Sequence, residues 1–143
     1  EELYFAEQNK GSFCNGERIN VSSEDNLNHI LVGLDGGKET GTFKRSSLAA
    51  YESRLYSPNG VACTLSSGCA SVPLSLTASG NLHAYLALSL EPWDMAAAAV
   101  INREAGARVT NIRNEEWNLD HESILVANPV LHKKLYDFIK DLN

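Results

Sequence analysis

Asp94 has the most unusual surroundings of any acid in this 143-residue sequence. It follows Trp93 directly in "EPWDMAAAAVINREAG" (91–106), at the mouth of a helix built almost wholly of alanine. Pro92 fits a first turn, where its missing N–H costs nothing, and Gly106 supplies a C-terminal stop. Between them Ala96 to Ala99, Val100 and Ile101 make a slim apolar rod that neighbours can approach closely. A carboxylate in the first turn of such a helix offsets its dipole, worth about 0.3–1 kcal/mol. Nucleophilic and metal-ligating side chains are sparser. Cys14, Cys63 and Cys69 are odd in number and lack Cys-x-x-Cys spacing. That predicts free thiols in a reducing compartment, the cytoplasm, rather than a disulfide framework. His29, His83, His121 and His132 show no zinc-like pairing, so each is expected at the surface or half-buried. Asp35, in "VGLDGGKETG", reads as a turn acid.

The elements that must position these residues alternate. "LYFAE" and "ERINVS" read as strands joined through the Asn15-Gly16 turn signal. "HILVGL" (29–34) is an apolar run fit for a strand buried on both faces. "TFKRSSLAAYESRLY" places Phe43, Leu48, Tyr51 and Leu55 at helical spacing, and Pro58-Asn59-Gly60 closes it. "GVACTL" is the next strand, and "GCASVPLSLTASG" a short helix ended by Gly80. "HAYLAL" leads into the alanine helix, "ARVTNI" and "SILVAN" are further strands, and "PVLHKKLYDFIKDL" closes the chain as an amphipathic helix begun by Pro129. Strands alternating with helices argue for an α/β layered fold with mostly parallel or mixed pairing.

Composition bounds the function. The chain is 43% hydrophobic and 21% charged, a globular balance, and long enough for one domain over 1–143 with its own core. Its net charge is −6, with no basic run or basic–aromatic stripe, so nucleic acid is not an expected partner. No apolar stretch reaches the ~20 residues a membrane helix needs. The acidic opening "EELYFAEQNK" lacks the pattern of a signal peptide. The chain opens on a strand with no element before it, which predicts a piece cut from a longer protein.

Four segments carry a resemblance, in one order. "AEQNKGSFCNGERINVS" is similar to a hairpin of the inositol monophosphatase family, Ala-x-x-Gly-x-Gly-(Ala/Ser)-Phe-x-Asn-Gly-x-x-(Ile/Leu)-x-Val-Ser, with Asn9 where a glycine is usual. "SSGCASVPLSLTASGNLHAY" resembles its Gly-Ser-Ala-Ala segment, the apolar helix after it and Ala/Ser-x-Gly-x-x-Asp-Ala-Tyr. "PWDMAAAAVINREAGARVT" resembles its Trp-Asp-x-Ala-Ala-Gly…Glu-Ala-Gly-Gly-x-Val-Thr signature, and "ILVANPVLHKKL" its closing strand and helix. The likeness is weakest between about Asp35 and Leu65.

The resemblance implies a fold and a chemistry. The fold is α/β, a layered mixed sheet with flanking helices, the C-terminal half of an αβαβα sandwich. The activity is that of magnesium-dependent, lithium-sensitive phosphomonoesterases acting on phosphorylated small molecules. It makes Asp94 an Mg2+ ligand, a hard cation being one that takes oxygen donors in octahedral geometry. Gly68, Cys69 and Ala70 fall at the turn whose backbone N–H groups contact substrate at a helix N-terminus. Small residues are also simply what a helix start there needs. The family's remaining metal ligands lie in motifs that precede the hairpin, so the N-terminal half of the same protein is an expected partner. A homo-oligomer is expected, and so is catalytic silence of the 143 residues alone. Ala87 stands where the inositol enzymes carry a glutamate for a sugar hydroxyl. Leu65, Ser66 and Ser67 occupy the neighbourhood of a usual arginine. These departures keep a sugar-bisphosphate or 3′-nucleotide phosphatase open, and a non-catalytic interaction module beside them.

Overall fold

In the computed structural model, residues 1–37, 43 and 45–142 are described. β1 (Tyr4–Glu7), β2 (Gly11–Cys14) and β3 (Glu17–Ile19) form an antiparallel sheet of two hairpins. Asn15 and Gly16 turn the second hairpin at φ +52° and +86°, the left-handed pair that this dipeptide adopts at least cost. Asn9, standing where the resemblance expects glycine, sits at φ +63°. Asparagine is one of the few side chains that tolerates that region, so the first hairpin keeps its shape.

The second sheet runs β5 (Cys63–Leu65), β4 (Leu31–Gly36), β6 (Ala84–Leu88), β8 (Ile124–Ala127), β7 (Arg108–Thr110). β4 pairs in parallel with β5 and β6, whereas β8 runs antiparallel to both β6 and β7. The pairing is therefore mixed, as the alternation predicts. β6 is buried along its whole length. Its period of two sends Ala84, Leu86 and Leu88 into one core and Tyr85 and Ala87 into the other.

Helices cover both faces. α1 (Arg45–Leu55) and α4 (Pro129–Ile139) pack on one side through Tyr51, Leu55, Leu131, Leu135 and Ile139. Burial of each such aliphatic side chain contributes roughly 1.5–3 kcal/mol, which outweighs any helix propensity in a short element. Asn128 caps α4, its Oδ1 accepting from the N–H groups of Val130 and Leu131 at 3.1 and 2.9 Å. α2 (Ser71–Ala78) and α3 (Pro92–Glu104) pack on the other side through Leu74, Met95 and Ala99. Asn102 joins them, donating from Nδ2 to the Leu74 and Ala98 carbonyls at 3.0 and 2.9 Å. The hairpin sheet lies against α3. Glu104, at the end of α3, accepts from the N–H groups of Asn9 and Gly11, each at 2.8 Å. Those two donors hold its carboxyl below the usual glutamate range. The layers are thus hairpin sheet, helices, five-stranded sheet, helices.

Element boundaries shift where side chains capture the backbone. The strand expected over 29–34 begins at Leu31, because Leu27–His29 form a 3-10 turn capped by the Asn26 side chain. The strand expected over 107–112 stops at Thr110, where Asn111 Oδ1 takes the N–H groups of Arg113 and Glu115 into a loop. The first part of the helix expected from Thr42 is only partly within the described residues. Phe43 packs on the core but precedes α1, while Thr42 and Lys44 lie outside the described residues.

Two expectations about polar residues fail. His132 is neither at the surface nor half-buried but fully enclosed, with Nε2 2.8 Å from Thr110 Oγ1. The spacing of α4 puts it on the core-facing side beside Leu131 and Leu135, and a threonine hydroxyl on β7 meets it there. Asp35 is no turn acid. It is the fifth residue of β4, 4% exposed, and its carboxylate points into the protein.

Candidate functional site

The three parallel strands end at one edge of the sheet, and the segments that leave them converge there. Gly36 ends β4 and Gly37 follows it, Ser66 to Ala70 follow β5, and Ser89 to Asp94 follow β6. Together they line a cleft of about 600 Å3 that includes Asp35, Gly68, Cys69, Ala70, Trp93 and Asp94. The carboxyl ends of parallel strands are where open α/β sheets place their ligand crevices. Crowding there is tight. A Cβ on Gly37 would fall 1.7 Å from the Ser89 carbonyl oxygen, so only glycine lets these two segments meet. Ser89 itself sits at φ +56°, a left-handed conformation that costs on the order of 1–3 kcal/mol for a residue with a side chain.

All four residues singled out from the sequence thus reach one cleft, although 24 to 26 positions separate Gly68–Ala70 from Asp94. Asp94 lies in the first turn of α3 and is exposed. The Glu91 backbone N–H donates to its Oδ2 at 3.2 Å, so the carboxylate closes the helix mouth as the dipole argument expects. Among the described residues Oδ1 has no hydrogen-bond partner. One oxygen is therefore spoken for and the other is not, on a residue that lines the cleft.

The turn before α2 is less open than its backbone suggests. The Gly68 N–H donates to Asp35 Oδ1 at 3.0 Å, and the Cys69 N–H to Ser67 Oγ at 3.3 Å. The Ala70 N–H has no hydrogen-bond partner among the described residues, and Ala70 lines the cleft. Cys69 presents a free, exposed thiol. The Ser71 hydroxyl, 3.2 Å from its Sγ, and the N–H groups of Val72 and Ser71 hold that thiol below the usual value, against the nearby charge of Asp35. Cys14 and Cys63 are free thiols as well.

A hard divalent cation takes about six oxygen ligands. Asp94 Oδ1 fits one such position, and the Glu91 carboxylate borders the same cleft. Among the described residues no group of three or more His, Cys, Asp or Glu side chains is gathered to hold a metal ion. The donor set present is compatible with a cation and insufficient to hold it. Asp35 adds nothing to that set, because both its oxygens accept hydrogen bonds from the protein. Sequence reasoning missed its role because the donors lie some 30 or more positions away in the chain.

Comparison with known proteins bears on the sequence and the fold. The sequence model of the inositol monophosphatase family matches residues 1–142. Inositol monophosphatase 1 of Xenopus laevis is 35% identical over 131 residues, 90% of this chain and 45% of that protein. The inositol-1-monophosphatase of Bacillus subtilis is 29% identical over 140 residues, 96% of this chain and 51% of that one. The crystal structure of the extragenic suppressor protein suhB from Bartonella henselae superposes with a TM-score of 0.86 at 25% identity, over 97% of this chain and 52% of the other. The chain spans about half the length of the relatives it matches. In sequence along nearly its full length and in fold, the chain belongs to the inositol monophosphatase family.

Proposed function

We propose that this chain supplies one side of the active site of a magnesium-dependent phosphomonoesterase. The observation that carries the reading is the convergence of Asp94, with one free carboxylate oxygen, and the Gly68–Ala70 turn on a single cleft at the strand ends. In this reading Asp94 is an Mg2+ ligand, and Gly68, Cys69 and Ala70 border a phosphorylated small-molecule substrate. Asp94 would supply one oxygen ligand to the ion, and the chemistry a bound magnesium would supply is polarisation of the phosphoryl group and activation of a water. The chain's own contribution is to fix one oxygen donor on a rigid helix and one backbone donor on a rigid turn. The missing donors come from an N-terminal half of the same protein. Three unpaired thiols fit a reducing compartment, and we place the protein in the cytoplasm. Among the described residues no helix is long and apolar enough to cross a membrane.

Ala87 favours a substrate other than inositol 1-phosphate. Its side chain lies in the core beneath α2 and α3 at 0% exposure, so no carboxylate reaches the cleft from that position. A sugar bisphosphate or a 3′-nucleotide fits better. The test is phosphate release from inositol 1-phosphate, fructose 1,6-bisphosphate, a 3′-nucleotide and an aromatic phosphate at millimolar magnesium. The full-length protein is expected to turn over at least one of them, and the purified 143-residue chain none. No turnover by the full-length protein would leave a non-catalytic module as the function. Chelator-sensitive turnover by the chain alone would overturn the need for an N-terminal half.

Apolar side chains left in the open support self-association as part of the same proposal. Trp93 beside the cleft is 77% exposed, and Leu3 on the hairpin side 67%. Phe5, stacked on Phe13 at 5.1 Å, is also exposed. Light scattering at tens of micromolar is expected to return a mass above that of one chain. A clean monomer that binds no hydrophobic dye would rule it out.

A further inference from the structure

We propose that Asp35 is the positioning residue of the Gly68–Ala70 turn. The inference rests on the reading of that turn as part of a substrate site. Asp35 Oδ1 accepts from Ser66 Oγ at 2.8 Å and from the N–H groups of Ser67 and Gly68, each at 3.0 Å. Its Oδ2 accepts from Ser67 Oγ and from the Tyr85 hydroxyl, each at 3.2 Å. Five donors therefore converge on one carboxylate that is 4% exposed, the Ser67 hydroxyl sharing its one hydrogen with the Cys69 carbonyl at 2.9 Å.

The arrangement replaces local structure that the turn lacks. Ser66 to Cys69 belong to neither β5 nor α2, and they are solvent-exposed. Gly68 holds φ +67° with nothing within 4 Å of where a Cβ would stand, so packing does not fix it. What fixes it is the carboxylate behind it. Asp35 is itself fixed, being in β4, an interior strand paired on both sides, with its neighbour Leu34 in the core. The Tyr85 hydroxyl comes from β6 alongside, and its titration is pushed up by burial and then by the Asp35 charge. A carboxylate accepts several hydrogen bonds at once through its two oxygens, so one buried side chain can hold a short exposed segment by several of its donors. The clamp also decides what the turn offers. It consumes the Ser67 and Gly68 N–H groups, and the Cys69 N–H is taken by Ser67 Oγ, so of the turn's backbone donors only that of Ala70 has no partner among the described residues. Ser66 and Ser67, in the neighbourhood where the resemblance expects an arginine, are two of its hydroxyl donors.

Asparagine can reproduce this geometry. Its amide oxygen takes the place of Oδ1, and its NH2 donates to the Tyr85 and Ser67 hydroxyls, which reverse their own hydrogen bonds. Alanine removes every acceptor. In the 143-residue chain, amide exchange at Ser67 and Gly68 is expected to rise about tenfold or more in Asp35→Ala and to stay near the original rate in Asp35→Asn. In the full-length protein, Asp35→Ala is expected to raise KM for the phosphomonoester by about tenfold with kcat changed by less than about threefold, and Asp35→Asn to restore KM. Unchanged exchange at Ser67 and Gly68 in Asp35→Ala overturns the proposal. So does an Asp35→Asn as damaging as Asp35→Ala, since the charge and not the geometry would then matter. If Asp35→Ala does not fold, Ser66→Ala deletes one donor at the surface and still has to speed exchange at Ser67. Absence of turnover in the unmutated full-length protein would count against the phosphatase reading alone, because the exchange measurement decides the role of Asp35 without it.

Discussion

Asp94→Asn in the full-length protein is expected to lower kcat/KM for its phosphomonoester by about a hundredfold or more, while the fold loses almost nothing. A hundredfold corresponds to about 2.7 kcal/mol of transition-state stabilisation. The asymmetry follows from the two oxygens of this carboxylate. Oδ2 accepts the Glu91 N–H at the mouth of α3, and an asparagine amide oxygen can do the same. The remaining local loss is the interaction of one exposed charge with a helix dipole, about 1 kcal/mol or less. Oδ1, which has no hydrogen-bond partner among the described residues, is what a cation would use, and the amide nitrogen that replaces it cannot donate an electron pair to a metal. The magnesium concentration for half-maximal rate should rise together with the loss of turnover. Full activity with a small drop in melting temperature would leave the helix mouth as the only role of Asp94.

Acidification from pH 7 to pH 5 is expected to cost the fold about 2 kcal/mol through His132 alone. Burial pushes this imidazole down to about 4, with the charge of Arg108 acting in the same direction. In the unfolded chain a histidine titrates near 6.5. The folded value is the lower one, so the unfolded state takes up the proton first as pH falls. Stability is therefore full above about pH 6.5 and is lost progressively as pH drops toward 4, to a total of about 3 kcal/mol. The hydrogen bonds say why the ring resists protonation. The Thr110 hydroxyl donates to the Asn111 carbonyl at 2.8 Å, so His132 Nε2 carries the proton in its 2.8 Å bond to Thr110 Oγ1. Nδ1 is then a bare acceptor, buried without a hydrogen-bond partner among the described residues. A second proton on Nδ1 would be a buried charge with no acceptor to receive it.

Thermal unfolding at pH 7 and pH 5 measures the effect. The melting temperature is expected to fall by about 5–10 °C between the two, and by clearly less in His132→Gln, which keeps a donor for Thr110 but does not titrate. Carboxylates do not confuse this window. Glu104, held low by the Asn9 and Gly11 N–H groups, contributes stability that is lost only as pH falls below about 4.5. An equal drop in the original protein and in His132→Gln would show that another group carries the acid sensitivity.

The sequence by itself determined the alternation of strands and helices, because hydrophobic periodicity and turn residues act over a few neighbours. Pro92 and Gly106 bracket α3, Asn15-Gly16 turns the hairpin, and Leu131, Leu135 and Ile139 form the buried stripe of α4. It also marked Asp94 and Gly68–Ala70 as belonging together, through motifs in a fixed order. Where local hydrogen bonds compete with a strand ladder, periodicity misplaced the ends, as at His29 and Asn111. Only the tertiary structure decided what Asp35 and His132 do. Asp35 follows an apolar strand and precedes two glycines, which reads locally as the start of a turn. Its five donors come from Ser66, Ser67, Gly68 and Tyr85, which β5 and β6 bring alongside β4. His132 is polar in a helix of mixed composition, and nothing near it in the chain announces the Thr110 hydroxyl that waits on β7. A buried polar group is stable only when its partners are supplied, and those partners are chosen by strand order and helix packing, which bring together residues that no local pattern connects.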